Sequence, residues 1–528
     1  LVIIDGKIKL RLRGGHIMTL KTPADYMDSL RQLNLNLYLL GEKVENWVDN
    51  PIIRPSTNAI AMTYKLAHEP ESEDLAATNS MLTGEKVNRF NSLFKSSEDM
   101  VKKVKLQREM GQRTGCCFQR CVGMDAVNAV FSTTYEIDQK HGTEYHQRFR
   151  KWLKRVQDND LCIAGAMTDV KGHRGLAPSQ QSDPDMFVHV VEQKSDGIVI
   201  RGAKANITGV ANSHEMLIMP TLRMREGDEA YSVTCAIPTD SPGVTLIYGR
   251  QSCDTRKLEK GDIDVGNYNF GGHEALTVLD NVFVPWERVF MCGEIDFSIM
   301  LVERFAGYHR QSYGGCKAGI GDVLIGAAAS IADYNGVRKA PHIREKLGEM
   351  IHLAETIHGC GLACAYEGWK TKADNYQCDI LLANVCKHNV TRFPYELTRL
   401  AEDITGGILV TTPSENDFRH PVIGKYVEKY LSGIPDVPTE ARYRMITLIH
   451  AMCFGLTAPS YHTESMHGAG SPQAQKVMIE RETDMSLKQN LARSIAGIDK
   501  REDPLDAASR GGWKKPAQWD SHTWPRSD

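Results

Sequence analysis

Apolar positions recur at helical spacing near the start of the chain. Thr22-Pro23-Ala24-Asp25 supplies a cap, a proline at the first helical position and an acid at the third. Tyr26, Leu30, Leu33, Leu37 and Leu40 follow on one helical face. MVKKVKLQREMGQ (100–112) predicts a second helix, strongly basic on part of its surface. CCFQRCVGMDAVNAVFSTTYEID (116–138) predicts a third, more apolar and therefore more buried. From about 160 to 295 the pattern changes to short β-rich runs at 197–210, 214–224, 230–238, 243–249 and 274–285. Turn formers such as Thr239-Asp240-Ser241-Pro242-Gly243 separate them. None alternates with a long helix, so an antiparallel barrel or sandwich is expected rather than a parallel doubly wound sheet. Helical spacing returns at 318–335, 339–370, 376–403 and 438–457, which predicts a bundle.

The expected fold class is therefore α+β: an N-terminal helical domain, a central antiparallel β-barrel or sandwich, and a C-terminal helical bundle. The expected bounds are 18–158, 159–295 and 296–498. Residues 1–17 read as a leader or added extension before Met18, and 499–528 as a peripheral tail rich in Asp, Lys, Pro and Trp.

Composition narrows the function. Lys and Arg number 63 and Asp and Glu 66, a net charge of −3, so no global positive field exists to hold nucleic acid. The most suspicious apolar run, VLIGAAASIA (323–332), is ten residues between Asp322 and Asp333, whereas a membrane span needs about 20. The opening segment lacks the apolar core and cleavage site of an export signal. A cytoplasmic protein is expected. The 13 cysteines are odd in number and scattered, which argues against a disulfide scaffold.

Some cysteines invite a metal. On the predicted third helix, Cys117 and Cys121 are four apart and share a face, while Cys116 points about 100° away from Cys117. In RFAGYHRQSYGGCKAG (304–319), His309 and Cys316 are seven apart and return to nearly one face, with Tyr313 between them and Lys317 beside Cys316. Gly314 and Gly315 either let a large group approach or break the helix. Three cysteines and a histidine can hold zinc or an iron–sulfur cluster. Core packing explains the same residues, and spacing alone favours it.

Other elements carry acids. In HTESMHGAGSPQAQ (462–475), Glu464 reads as a buried acid or as a salt-bridging residue. In FGGHEA (270–275), Glu274 begins a strand after a glycine pair. There is no GxGxxG and no P-loop. The loop in AGAMTDVKGHRG (164–175) offers Met167 and Thr168 to a flavin and Lys171 and Arg174 to phosphates, with a surface turn as the plain alternative.

At these residues the chain resembles the 4-hydroxybutyryl-CoA dehydratase (vinylacetyl-CoA Δ-isomerase) family, within the 4-hydroxyphenylacetate 3-hydroxylase group of flavoproteins. The resemblance is carried by LLGEKVENWVDNPIIRPS (39–56), CCFQRCVGMDAVNAVFSTTYEID, GAMTDVKGHRGLAPS, YGRQSCDTRK, VERFAGYHRQSYGGCK and YHTESMHGAGSPQAQ, and runs from about 25 to 498. It implies an acyl-CoA dehydrogenase-like fold, a homotetramer, FAD and a 4Fe-4S cluster. By residue match the cluster ligands are Cys117, Cys121, His309 and Cys316. Glu274, Tyr313, Lys317 and Glu464 are implied around substrate or flavin, with Arg108, Gln119 and Thr208 as further candidates. The implied activity is dehydration of 4-hydroxybutyryl-CoA to crotonyl-CoA by a flavin-radical route with iron-assisted loss of hydroxyl, plus isomerisation of vinylacetyl-CoA. His309 is then the candidate first base, and Glu464 and Glu274 are candidate proton relays at C2 and C4. The rival readings are a cluster-free flavin monooxygenase or acyl-CoA dehydrogenase relative, and a non-enzymatic zinc protein.

Overall fold

The computed structural model describes residues 20–249, 261–264 and 269–498, preceded by two short strands, Val2–Ile4 and Lys7–Lys9. Met18 and most of the expected leader, residues 250–257 of YGRQSCDTRK, and the tail 499–528 lie outside the described residues.

The first helix is Pro23–Arg31 and its cap is as expected: Asp25 N–H donates to Thr22 Oγ1 at 3.2 Å, and Thr22 N–H donates back to Asp25 Oδ2 at 3.0 Å. Tyr26 and Leu30 anchor it in the core. It stops there. Leu37–Leu39 is a strand, because Leu33-Asn34-Leu35-Asn36-Leu37-Tyr38-Leu39 alternates with period two and buries Leu35, Leu37 and Leu39. The second predicted helix is Ser97–Thr114, ended by Gly115 at φ +59°. The third begins only at Cys121 and runs to His141. Cys117 therefore sits in the preceding loop and shares no helical face with Cys121.

The β region forms two open sheets, and no closed barrel is present among the described residues. The four-stranded sheet runs Val289–Cys292, Val233–Pro238, Glu215–Ile218, Ile163–Ala166. The six-stranded sheet runs Glu42–Lys43, Leu37–Leu39, Val244–Tyr248, Glu274–Pro285, Gly197–Thr208, His189–Gln193. Most pairs are antiparallel, but Ile163–Ala166 runs parallel to Glu215–Ile218, and Leu37–Leu39 parallel to Val244–Tyr248. The expectation of a purely antiparallel barrel is thus corrected to a mixed pair of sheets. Both parallel pairs use a strand that leads in from the N-terminal helical region and joins a strand far along the chain, as parallel pairing requires. The helical, β, helical order of an acyl-CoA dehydrogenase-like α+β fold is present.

The C-terminal half is organised by one helix of 40 residues, Ile295–Tyr334, about 60 Å long at 1.5 Å per residue. By length and composition it would pass for a membrane span, but 67% of its apolar window is buried inside the protein. Pro341–Tyr366, Ile380–Val390, Phe393–Thr405 and Thr439–Cys453 pack around it. Gly314 and Gly315 do not break it. The groups they admit are neighbouring helices. A Cβ on Gly314 would lie 2.6 Å from Gly361 Cα, and one on Gly315 would meet the backbone carbonyl of Val104. On the facing helix, a Cβ on Gly111 would lie 2.7 Å from Cys316 O. This close packing fixes which way the helix turns His309, Tyr313 and Lys317.

Candidate active site

Four chain segments meet around the middle of the long helix. The turn after Thr439–Cys453 brings in the short helix Thr463–His467 and with it Glu464. Lys317 Nζ lies 3.2 Å from Glu464 Oε2 and donates to Ser460 O at 2.6 Å. The Cys117 thiol donates to Glu464 Oε1 at 3.5 Å, which ties the loop before Cys121 to the same acid. The glycine pair before Glu274 closes on this loop, since a Cβ on Gly272 would lie 3.3 Å from Cys117 Cβ. Gln119, at φ +68°, locks the corner by donating to Ser56 O at 2.9 Å and Gly271 O at 3.1 Å.

Two lysines flank Tyr313. Lys317 Nζ is 5.3 Å from the ring centroid and Lys387 Nζ is 4.1 Å. Lys387 also donates to Ser465 O. The His309 ring meets Tyr313 edge-on at 5.3 Å and stacks on Phe305 at 5.4 Å. Its Nδ1 is 2.9 Å from Asp125 Oδ2. Thr208 Oγ1 donates to Glu274 Oε1 at 2.6 Å, while Glu274 Oε2 is buried with no partner among the described residues.

The electrostatics divide these groups. Burial and the nearby Glu464 charge push the Glu274 carboxyl well above its usual range. Burial pulls Lys317 down, but Glu464 and Cys316 outweigh it and the net shift is upward, so it stays charged. For Lys387 the pull of Glu464 is outweighed. Burial and the Lys317 charge push it well below an ordinary lysine. Tyr313 is pushed up by burial and then by Glu464.

The predicted metal centre is corrected by this geometry. Among the described residues, no group of three or more His, Cys, Asp or Glu side chains is gathered to hold a metal ion. The reading of a shared face failed because Cys117 is in a loop. Cys117, Cys121, His309 and Cys316 as placed do not fit a 4Fe-4S cluster, and the metal-binding assignment and the structural zinc alternative fall with it.

The flavin candidates separate. Thr168 O accepts from Ala205 N–H at 2.8 Å, three residues along the strand from Thr208. Met167 is buried, and its carbonyl accepts from Lys204 Nζ at 3.0 Å. Lys171 and Arg174 are exposed on the loop that follows. Arg108 lies on the far side of the helix pair, where it bonds Asp322 at 2.8 Å and Glu355 at 3.1 Å. It lines a surface cleft of about 350 Å³ with Lys105, Arg113 and His358. Sequence reasoning missed Lys103, Asp125 and Lys387. The available signal was an ionisable residue inside an apolar helical run, as in CVGMDAVNAV and ILLANVCKHNV.

The fold and this cluster point to a class, and comparison with known proteins defines it. The family descriptions 4-hydroxyphenylacetate 3-hydroxylase N terminal and C terminal match residues 22–291 and 299–497. The chain belongs to this 4-hydroxyphenylacetate 3-hydroxylase family. Within it, the chain is 59% identical over 488 residues to the 4-hydroxybutyryl-CoA dehydratase/vinylacetyl-CoA-Δ-isomerase of Clostridium aminobutyricum, covering 91% of this chain and 100% of the relative. A solved archaeal 4-hydroxybutyryl-CoA dehydratase from N. maritimus, described as oxygen tolerant, superposes with a TM-score of 0.89 at 55% identity, covering 92% of this chain and 96% of the other. The oxygenase component (HpaB) of 4-hydroxyphenylacetate 3-monooxygenase, complexed with FAD and 4-hydroxyphenylacetate, shares the fold with a TM-score of 0.79 at 23% identity, covering 93% and 99%. The likeness to the dehydratases, over 91% and 92% of the chain, separates this enzyme from the monooxygenases.

Proposed function

We propose that this enzyme dehydrates 4-hydroxybutyryl-CoA to crotonyl-CoA and isomerises vinylacetyl-CoA to crotonyl-CoA. The observation that carries the reading is two carboxyl groups in unequal surroundings near one lysine. Glu464 is ion-paired to Lys317 at 3.2 Å, while Glu274 accepts from Thr208 Oγ1 at 2.6 Å, leaves Oε2 buried with no partner among the described residues, and has its carboxyl pushed upward by burial and by Glu464. Both reactions must remove the thioester-acidified C2 proton and deliver a proton to C4. A base and an acid set apart by environment suit that task at one pH.

In this reading His309 Nε2 takes the C2 proton, because Nδ1 is engaged by Asp125. Glu464 relays it across the Lys317 contact. Glu274 delivers a proton at C4, and Tyr313, its ring flanked by two lysines, orients the leaving oxygen. FAD is the proposed cofactor, in keeping with its family relatives. Buried Glu274 Oε2 and Gln119 Oε1 have no partner among the described residues, and bound flavin or substrate would satisfy them. When bound, flavin supplies a one-electron acceptor, which makes the C3 proton acidic enough to remove. Thr208, Met167 and Thr168 are its proposed contacts, with Lys171 and Arg174 nearer its phosphates.

A homotetramer belongs to the same proposal. The helix Met485–Ile495 buries none of its residues and exposes Met485, Leu487, Leu491 and Ile495, which suits coverage by another copy. Light scattering on the purified protein checks it, and a monomer would remove it.

The activity is tested by supplying purified protein anaerobically with 4-hydroxybutyryl-CoA and with vinylacetyl-CoA, and separately, in air, with reduced FAD and 4-hydroxyphenylacetate. Crotonyl-CoA from both thioesters and no hydroxylated phenol is expected. Hydroxylation without crotonyl-CoA would overturn the reading.

A further inference from the structure

Where the two sheets meet, a buried lysine that the proposed reaction does not use joins three segments of chain. Lys204, on the strand Gly197–Thr208 of the six-stranded sheet, is 2% exposed. An ammonium has three donors, and all three are taken: by Met167 O at 3.0 Å, Met219 O at 2.7 Å and Asp169 Oδ1 at 2.5 Å. Both carbonyls lie one residue beyond neighbouring strands of the four-stranded sheet, Ile163–Ala166 and Glu215–Ile218. Asp169 is buried too. Its Oδ2 accepts from Thr221 N–H at 3.3 Å, and its own N–H donates to Thr221 Oγ1 at 3.1 Å. Thr221 Oγ1 donates in turn to Met167 O.

The strand that carries Lys204 is built for this. Its partner strand advances two residues from Ala275 to Thr277 while it spends three, from Ile207 back to Lys204. The extra residue makes a bulge, and Asn206 adopts φ +53°, a region asparagine tolerates. Side chains alternate along a regular strand, so without the bulge Lys204 and Thr208 would share a face. With it, Lys204 turns into the core and Thr208 toward Glu274. At the bulge, Ala205 N–H donates to Thr168 O at 2.8 Å.

We infer that Lys204, braced by Asp169 and Thr221, is the positioning residue that holds the loop Met167–Asp169 where it presents itself to flavin. The inference rests on the proposed flavin contacts at Met167, Thr168 and Thr208. A stability role explains the group less well. Desolvation offsets most of the attraction in a buried ion pair, and packed apolar residues of like volume do as well or better. An apolar residue, however, could not hold two backbone carbonyls past the ends of their strands. Lys204 fixes them at the point where the proposed cofactor loop leaves the sheet.

The variants are Lys204→Met/Asp169→Asn, which removes both buried charges and keeps an acceptor for Thr221, and Thr221→Val, which removes one hydroxyl at nearly constant volume. Each is purified as the full-length holoenzyme. FAD release is followed by the rise in flavin fluorescence on dilution. Hydrogen exchange is read over residues 163–175 and over the helix Ser97–Thr114. A loop no longer held in its bound form should release FAD about 10-fold faster or more in the double variant, and about threefold faster in Thr221→Val. Exchange should rise over 163–175 and stay unchanged in the helix, and kcat at saturating FAD should stay within a few-fold. FAD release within a factor of about 1.5 of the parent in Thr221→Val, or exchange that rises equally in both regions, overturns the positioning role; Thr221→Val decides the matter if the double variant does not fold. A parent protein that carries no FAD and takes none up overturns the flavin reading itself.

Discussion

Two lysine–carboxylate pairs sit on either side of one stretch of the long helix, and they behave differently. Lys103 and Asp125 are both 0% exposed, and every charge in that group is answered by another polar group. Lys317 is 1% exposed and Glu464 19%, so the second pair reaches the surface through its acid. Burial pushes Asp125 up, but Lys103 and His309 pull harder, and its carboxyl ends below the ordinary range. Around Glu464 the neighbours are displaced from their usual affinities, Glu274 upward and Lys387 downward. The inner pair holds a geometry. The outer group is the one built to exchange protons. Burial of a lysine and an acid side by side therefore does not mark a catalytic centre; unequal neighbours around them do.

The largest effect should come from breaking the inner pair on one side. Asp125→Leu strands a buried Lys103 charge and should cost about 3–5 kcal/mol in denaturant unfolding, whereas Lys103→Met/Asp125→Leu should recover most of it. If the single variant unfolds like the parent, the inner pair is not the rigid member. Next comes the packing that separates the two groups. Gly314→Val drives a side chain into Gly361 and should cost about 1–3 kcal/mol or more by thermal melting. The outer pair should show the reverse balance. Glu464→Gln should lower both proposed activities by about 100-fold, yet cost less stability than Asp125→Leu, since Ser460 O still accepts from Lys317.

The smallest effect is in pH dependence, and its sign differs between the groups. Asp125 is more acidic folded than unfolded, so its contribution is complete above the ordinary value of 3.8 and is lost as pH falls below that. Glu274 is less acidic when folded, so its contribution is complete below 4.5 and is lost as pH rises from there through its raised value. Melting temperature against pH should slope downward less steeply above 4.5 in Glu274→Gln than in the parent. An unchanged slope would place Glu274 in contact with water.

Much of this arrangement is legible in the chain because it is local. All five predicted β runs contain strands, at Gly197–Thr208, Glu215–Ile218, Val233–Pro238, Val244–Tyr248 and Glu274–Pro285. His309, Tyr313 and Lys317 share a helix, as their spacing predicts. What failed was long-range or ambiguous. The LNLNLYL stretch carries both a helical and an alternating pattern, and its pairing with Glu42–Lys43 and Val244–Tyr248 decides for the strand. Gly115 ends a helix two residues before Cys117, which defeats the face argument and with it the metal centre. The Gly314–Gly315 pair signalled close approach, but sequence could not say that the visitors are helices. Lys103 looked like part of a basic surface, and only tertiary packing turns it inward onto Asp125.

The central claim is that the outer group moves the proton between C2 and C4. It is tested most directly by running vinylacetyl-CoA isomerisation in D2O and locating deuterium in the crotonyl-CoA formed. The account predicts deuterium at C4 with the parent enzyme and a rate about 100-fold lower in Glu274→Gln. The same rate and the same C4 labelling in Glu274→Gln would contradict it.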